Sequence, residues 1–373
     1  MRTLFLFLLA LHSGSLLAFS TSDDETDTTK TIYLNNVVVV IAQRDETNTF
    51  DRSESIGFLD KPQLDFLSPM SAPQALSYVP GVWMQKTNHG GGSAFIRGLT
   101  GYQTLLMIDG VRMNNSTYRS GPNQYLNTID PLMISSVEVL RGNGSVQYGS
   151  DAIGGTIQMH SVDPVFAERG VKVSGRIYGK YWSSDMERSG RAELNIGSKN
   201  FALYGGFSYK DLGDITAGGD LGVLEPTGYA EYSADIKAIY KVGSGNRFVA
   251  SYQHLKQRDV PLYHKFYQGE YQRYHFDPQR RDLAYLKFIS HYQNKFISKI
   301  SYTLSYQSSL EIREKQKTGS VDFVKEGDEI NTAGLNVEVV SNFSENWKAT
   351  SGVEYYHDHV GSWAESRDVE MGS

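Results

Sequence analysis

Beyond residue 170 the chain alternates. Val171, Val173, Gly175, Ile177, Gly179 and Tyr181 fall on one face of an extended segment, with Lys172, Ser174, Arg176 and Lys180 on the other. Successive side chains of a strand point to opposite faces, so this two-residue period reads as a strand with one apolar side. The pattern recurs in Ala192 to Ile196, Phe201 to Tyr209, Tyr232 to Tyr240, Phe248 to Tyr252, Ala284 to Phe288, Phe296 to Tyr306, Leu335 to Val339 and Ala349 to Tyr355. Its polar partners include Arg191, Glu193, Glu231, Ser233, Asp235 and Lys237. Nine such strands satisfy two architectures: a transmembrane β-barrel wall with its apolar face outside, or a soluble sandwich with that face inside. The 24 Tyr, 17 Phe and 36 Gly agree with β-structure. No apolar run is long enough for a helical span. With no Cys, disulfides, thiolate metal sites and cysteine nucleophiles are excluded. A net charge of −6 argues against a nucleic-acid partner.

The chain starts with Met1-Arg2-Thr3, an apolar core from Leu4 to Leu11, and small residues at Ala18 and Ser20. That three-part pattern reads residues 1–20 as a secretory signal peptide. Residues 21–63 form a polar, flexible lead, interrupted by Val37-Val38-Val39-Val40-Ile41 after Asn35-Asn36. Four valines favour an extended strand. It is either an edge strand of the next domain or a docking strand captured by another protein through β-augmentation.

Residues 64–163 read as a compact α+β unit. Ser71 with Gln74 opens a short helix that Pro80-Gly81 stops. Strands are expected at Val82 to Gln85, Ser93 to Arg97, Thr104 to Ile108, Ser136 to Leu140 and Thr156 to His160, with Asp109-Gly110 as a tight turn and Asp130-Pro131 as an N-cap. The glycines match neither a dinucleotide fingerprint nor a P-loop, and no nucleophile elbow occurs, so nucleotide binding and serine hydrolysis find no support.

Five ordered motifs then carry a specific resemblance. They are Val79-Pro80-Gly81-Val82, Phe95-Ile96-Arg97-Gly98, Leu106-Met107-Ile108-Asp109-Gly110-Val111-Arg112, Val137-Glu138-Val139-Leu140-Arg141-Gly142 and Gln147-Tyr148-Gly149-Ser150-Asp151-Ala152-Ile153-Gly154-Gly155. Together they resemble the plug domain of TonB-dependent outer-membrane receptors, departing at Asn143, where the family often has Pro. Asn35 to Arg44 resembles that family's TonB box, which favours the docking reading. The resemblance implies a signal peptide (1–20), a lead with a TonB-box-like strand (21–63), an α+β plug (64–163) and antiparallel transmembrane β-barrel strands (164–373). It implies TonB contact at Asn36, Val37, Val38, Val39, Val40 and Ile41, and plug seating through Arg97, Asp109, Glu138 and Arg141.

The implied activity is non-enzymatic import of a scarce bulky nutrient such as ferric siderophore, haem or cobalamin across the outer membrane of a Gram-negative bacterium. TonB and its inner-membrane energising complex are the implied partners, with outer-membrane lipid around the wall and no cofactor. Tyr118, Arg119, Tyr263, His264, Tyr271 and His275 are candidates for contact with a metal chelate, although Tyr263, His264, Tyr267, Tyr271, Tyr274 and His275 equally fill an ordinary aromatic-rich loop. His357 and His359 share a strand face, a weak sign of a metal site. A ligand-sensing receptor without transport, a non-functional fragment and a secreted hydrolase are the alternatives.

Connection lengths give the expected sidedness. Short turns at Gly197 to Asn200, Gly243 to Asn246, Gln293 to Lys295 and Ser344 to Asn346 would face the periplasm, and Asp211 to Gly228 and Arg258 to Gln279 the outside. The first connection, Trp182 to Gly190, should be of the long kind, and Val360 to Ser373 should lie outside. Family barrels close with an even strand count, and the family has twenty-two strands. Two open edges of a nine-stranded wall would cost several kcal/mol per bare backbone group in hydrocarbon. The sequence is therefore expected to be part of a longer one.

Overall fold

The structure, a computed structural model, describes residues 38–40, 46–48 and 55–368, apart from 122, 184–185, 244, 295 and 345–346. The signal-peptide segment and Asn36, Val37 and Ile41 lie outside the described residues. Val38–Val40 (β1) pairs antiparallel with Glu46–Asn48 (β2), with Val39 opposite Thr47, and joins no other described sheet.

The plug is a five-stranded sheet with short helices. Its strands are Ser55–Asp60 (β3), Thr104–Ile108 (β6), Val111–Arg112 (β7), Ile134–Arg141 (β8) and Gly155–Ser161 (β9), in the order β3-β8-β9-β6-β7. Only the β6–β9 pair is parallel. Val82–Asn88 (β4) and Gly91–Ile96 (β5) form a separate hairpin. Composition places the domain start at 64, which is too late, because β3 is the sheet's edge strand and pairs with β8 from Ser55. Lys61–Leu67 (α1) follows it at once. Asp60 accepts from the Gln63 backbone at 2.9 Å and Gln63 Oε1 accepts from the Asp60 backbone at 3.0 Å, a complete capping box. At Ala72–Leu76 (α2) only half of the expected box forms. Ser71 caps Gln74, but the Gln74 side chain turns back to the Met70 backbone at 2.7 Å. A last helical turn, Ser145–Tyr148 (α3), precedes β9.

The wall follows as nine long antiparallel strands: Lys172–Trp182 (β10), Glu187–Gly197 (β11), Phe201–Leu212 (β12), Tyr229–Val242 (β15), Asn246–Arg258 (β16), Tyr271–His291 (β18), Lys299–Lys317 (β19), Asp322–Ser344 (β20) and Trp347–Asp368 (β21). Each pairs with the next in chain order, and among the described residues no ladder joins β10 to β21. Two outer connections carry structure of their own: Ile215–Thr216 (β13) with Val223–Leu224 (β14) in one, Val260–Pro261 (β17) and Tyr263–Tyr267 (α4) in the other.

The alternation resolves as a wall and not a sandwich. Ile177, Leu194, Phe207, Ile236, Leu286 and Leu304 are exposed, while Arg191, Lys210, Glu231, Asp235, Gln253 and Arg281 are buried against the plug. Phe201, Tyr240, Phe248, Phe288 and Tyr302 stand opposite one another across five successive strands, forming an aromatic row near the short-turn side. Such a row belongs at a membrane interface.

One expectation from connection length fails. The first outer connection is residues 183–186, and the fourth is residues 318–321, both as short as the inner turns. Arg367 and Asp368 still pair with Phe323 and Asp322, so Val360 to Asp368 continue β21 and are no loop. Pairing runs further out than the alternation suggests: Trp182 meets Glu187 at the first connection, and β20 reaches 23 residues at the fourth. Tyr271, Tyr274 and His275 accordingly sit on β18 rather than in a loop.

A charge on the outward face should act differently from one on the inward face. Ile236→Arg is expected to lower stability by about 2–4 kcal/mol in phospholipid vesicles, measured by denaturant unfolding. The same substitution in detergent micelles should cost less.

Candidate functional site

The functional geometry lies along the seam between plug and wall. Asp130 starts as an ordinary helix cap, its Oδ1 accepting from the Leu132 backbone at 3.0 Å. The same carboxylate then reaches off the plug. Lys210 Nζ lies 2.7 Å from Oδ1, the Ser233 hydroxyl donates to Oδ2 at 2.6 Å, and Arg191 Nη1 stands 3.8 Å away. Arg191 also meets Asp235 at 2.7 Å and Glu193 at 2.8 Å, and Lys210 meets Glu231 at 2.9 Å. Gln257 closes the network, donating to Glu231 at 2.7 Å and to the Asn127 carbonyl at 3.0 Å. Burial raises the Asp130 pKa, but Lys210 and Arg191 outweigh it and hold the carboxyl well below its usual range.

A glycine makes room for this. Gly206 faces inward on β12, and a Cβ there would sit 2.1 Å from Arg191 Nη2. The missing side chain is the notch through which the guanidinium crosses between strands.

A second anchor is Asp109. The Asp109-Gly110 turn has both residues at positive φ, 51° and 80°, as a tight hairpin turn requires. Its carboxylate accepts from the Ser161 backbone at 2.9 Å, the Ser161 hydroxyl at 2.6 Å and the wall's Gln253 at 2.9 Å. Lys237 stands 3.4 Å away, and Lys287 donates to the Asp109 carbonyl at 2.9 Å. Burial pushes this carboxyl up, but Lys237 and the Ser161 bonds bring it down to about 2.

The other three seating candidates stay inside the plug. Arg97 lies one residue past β5, exposed at φ 52°, with its guanidinium over Gly142. Glu138 is buried on β8 beside His160 of β9, at 3.6 Å. Arg141 donates to the Pro80 carbonyl at 2.5 Å, closing the Val79-Pro80-Gly81 turn. These residues bind plug to plug. The wall residues that hold the plug, Arg191, Lys210, Ser233 and Lys237, are absent from the expected set. The available signal was opposite charge at facing inward positions, with Lys210 directly across from Glu231.

At the outer end the ligand candidates separate. Tyr118 and Arg119 line one cavity. Tyr118 stacks on Tyr125 with centroids 4.2 Å apart, and Arg119 meets Glu311 of β19 at 2.5 Å. Tyr263 and His264 belong to α4, which lies against β4. Burial and neighbouring Lys265 lower the His264 pKa, so its ring is neutral at pH 7. Tyr271 meets Tyr274 at 4.9 Å, and His275 is held by Glu314 at 3.0 Å. His357 and His359 flank Asp358, whose carboxylate faces the plug and accepts from the Ser116 backbone at 2.7 Å, so both histidines take the opposite face. No cluster suited to a metal ion occurs among the described residues.

A small domain held by polar contacts against the inner face of an outward-apolar β-wall defines a plugged outer-membrane barrel. A family profile for the TonB-dependent Receptor Plug Domain matches residues 50–156, and this segment belongs to that domain family. The chain is 30% identical over 236 residues to the vitamin B12 transporter BtuB of Vibrio vulnificus (strain CMCP6), a match covering 61% of this chain and 37% of that protein. It is 26% identical over 184 residues to a hemin receptor of Yersinia pestis, covering 48% of this chain and 26% of the relative. The solved structure of the copper transporter OprC shares the fold, with a TM-score of 0.70, 14% identity, and coverage of 85% of this chain and 48% of that one. The chain thus spans less than half the length of each.

Asp130→Asn should leave Arg191 and Lys210 short of one negative charge. About 3–5 kcal/mol of plug stability should go with it, read as earlier proteolysis and denaturant release of the plug. Acid should act through Asp109. Its folded pKa is depressed, so its stabilisation is present above about pH 4 and is lost as pH falls towards 2. Plug release followed from pH 5 to pH 2 should show this loss, and Asp109→Asn should flatten that part of the profile.

Proposed function

We propose that the protein is the plug-bearing part of an energy-coupled outer-membrane importer for a bulky metal-containing nutrient. The observation that carries this reading is the chemistry of the seam. Around Asp130 the plug is held by ion pairs and hydrogen bonds, which can be exchanged for water as the plug moves. A domain meant to stay would be expected to rest on a wholly apolar interface. No bond of the cargo needs to be broken, so the role is mechanical and not enzymatic.

The steps follow from this arrangement. Cargo binds outside, on the plug apex and the outer ends of the wall, where Tyr118, Arg119, Tyr263, His264, Tyr271 and His275 offer aromatic faces, a guanidinium and imidazoles. Binding frees the segment from Asn36 to Ile41 on the periplasmic side. TonB, driven by the inner-membrane energising complex, pairs with Val37 to Ile41 by strand addition and pulls, and the seam contacts give way. Cobalamin and haem are the cargo classes supported by the relatives' names, and a ferric siderophore fits the same chemistry.

The test is uptake by cells carrying the receptor, with cobalamin, hemin or a ferric siderophore as the limiting nutrient. Deleting Val37 to Ile41 should abolish uptake while leaving cargo binding within about twofold, because the apex is untouched. Uptake that survives the deletion rules out the docking strand. Binding without uptake in the intact receptor points to sensing instead of transport.

A further inference from the structure

Beneath the apex, plug and wall enclose a cavity of about 70 Å³ whose lining is unusual in charge. Arg281 of β18 reaches it with its side chain buried. Its Nε donates to the Thr128 carbonyl at 3.0 Å and one Nη2 hydrogen to Gln253 Oε1 at 3.2 Å. Its Nη1 is buried with no hydrogen-bond partner among the described residues, and Arg281 forms no ion pair with a carboxylate there. Among the other buried polar atoms on the same cavity, the Tyr118 hydroxyl, Gln279 Oε1 and Gln307 Oε1 share that condition.

The two carboxylates on the lining are already engaged. Glu311 meets Arg119 at 2.5 Å and Arg313 at 3.6 Å, and Asp328 meets Arg313 at 2.7 Å. Arg280, also on the lining, is paired with Asp282 at 3.0 Å. Among the described cations on the lining, Arg281 is therefore the one with no carboxylate in contact. A buried charge without a counter-ion costs several kcal/mol, and water satisfies its hydrogen bonds but not its charge.

We propose that this cavity binds one monatomic anion of the halide class, chloride in the natural setting, held between Arg281 Nη1 and the Tyr118 hydroxyl. The space admits a few water-sized particles, since one water needs roughly 10–15 Å³ on this measure. A tetrahedral oxyanion would demand more donors than Arg281 Nη1 and the Tyr118 hydroxyl supply. Gln279 and Gln307 complete the site, because a half-turn of each amide presents NH2 in place of oxygen. Burial drives the Tyr118 pKa well above its ordinary value, so the phenol keeps its proton and donates.

The experiment uses the full receptor in detergent, free of cargo, with the probe being chloride or bromide against gluconate at fixed ionic strength. The thermal midpoint of the wild type should rise saturably with halide. Arg281→Met should show no such rise. Tyr118→Phe keeps the ring and its stack on Tyr125, so it should match the wild type in gluconate. Its half-saturating halide concentration should move up by roughly tenfold, the effect of losing one hydrogen bond to a charged group. Anomalous diffraction from bromide-grown crystals should place a peak beside Arg281 Nη1. No halide response in the wild type, an equal response in Arg281→Met, or a cavity holding ordered water only would each overturn the proposal. If Arg281→Met does not insert, Tyr118→Phe and the bromide peak decide it. A carboxylate from cargo as the true anion would show as halide indifference in the cargo-free protein.

Discussion

One carboxylate sets the centre of the polar seam between plug and wall. Asp130 ends a segment of plug loop, caps the turn that starts β8, and supplies the negative centre for Lys210 and Arg191 of the wall. Each role depends on the others. The cap orients the side chain, Pro131 fixes the turn, and the wall cations keep a fully buried carboxylate ionised. The inward face of β11, β12 and β15 is polar for this reason. A barrel without a plug could line its interior with almost any hydrophilic residue. Here Arg191 and Lys210 stand where one plug carboxylate meets both, while Glu231 and Asp235 pair with them from the wall itself.

Polar seating and apolar packing coexist along the seam. Ile239, Val249, Leu283 and Tyr285 of the wall join the same buried cluster as Ile108, Val139 and Met159 of the plug. Burial supplies most of the attraction in such a contact, and ion pairs set its register. Asp109 illustrates the second effect. Its turn must be in the left-handed region for the carboxylate to meet Ser161, Gln253 and Lys237 together.

The fold was largely legible in the sequence because its two signals are local. Thr104 to Ile108 reads as a strand from its own composition, and the alternation from Val171 needs only neighbours two residues apart. The edge strand Ser55–Asp60 was hidden because its pairing partner lies some eighty residues on, and α1 because its capping box begins with Asp rather than Ser or Thr. The site was much less legible. Arg97, Glu138 and Arg141 sit in the motifs that mark the plug, yet they brace the plug itself. Motif membership says that a residue matters to the domain, not what it touches. Lys210 and Arg191 take their role only from the plug carboxylate packed against them, a contact far apart in sequence. Tyr118 and Arg119 were named for their chemistry, and Arg119 is occupied by Glu311.

The lengthening of the strands bears on how the outer end meets its cargo. A strand crosses a bilayer in about 9–11 residues, whereas β20 has 23 and β18 has 21. Roughly half of each is thus ladder beyond the membrane, stiffened by pairing on both sides. Tyr271, Tyr274 and His275 stand on that ladder and not on a free loop. Their positions are set before cargo arrives, so little backbone freedom is lost on contact. On the function proposed above, cargo meets a preformed mould there.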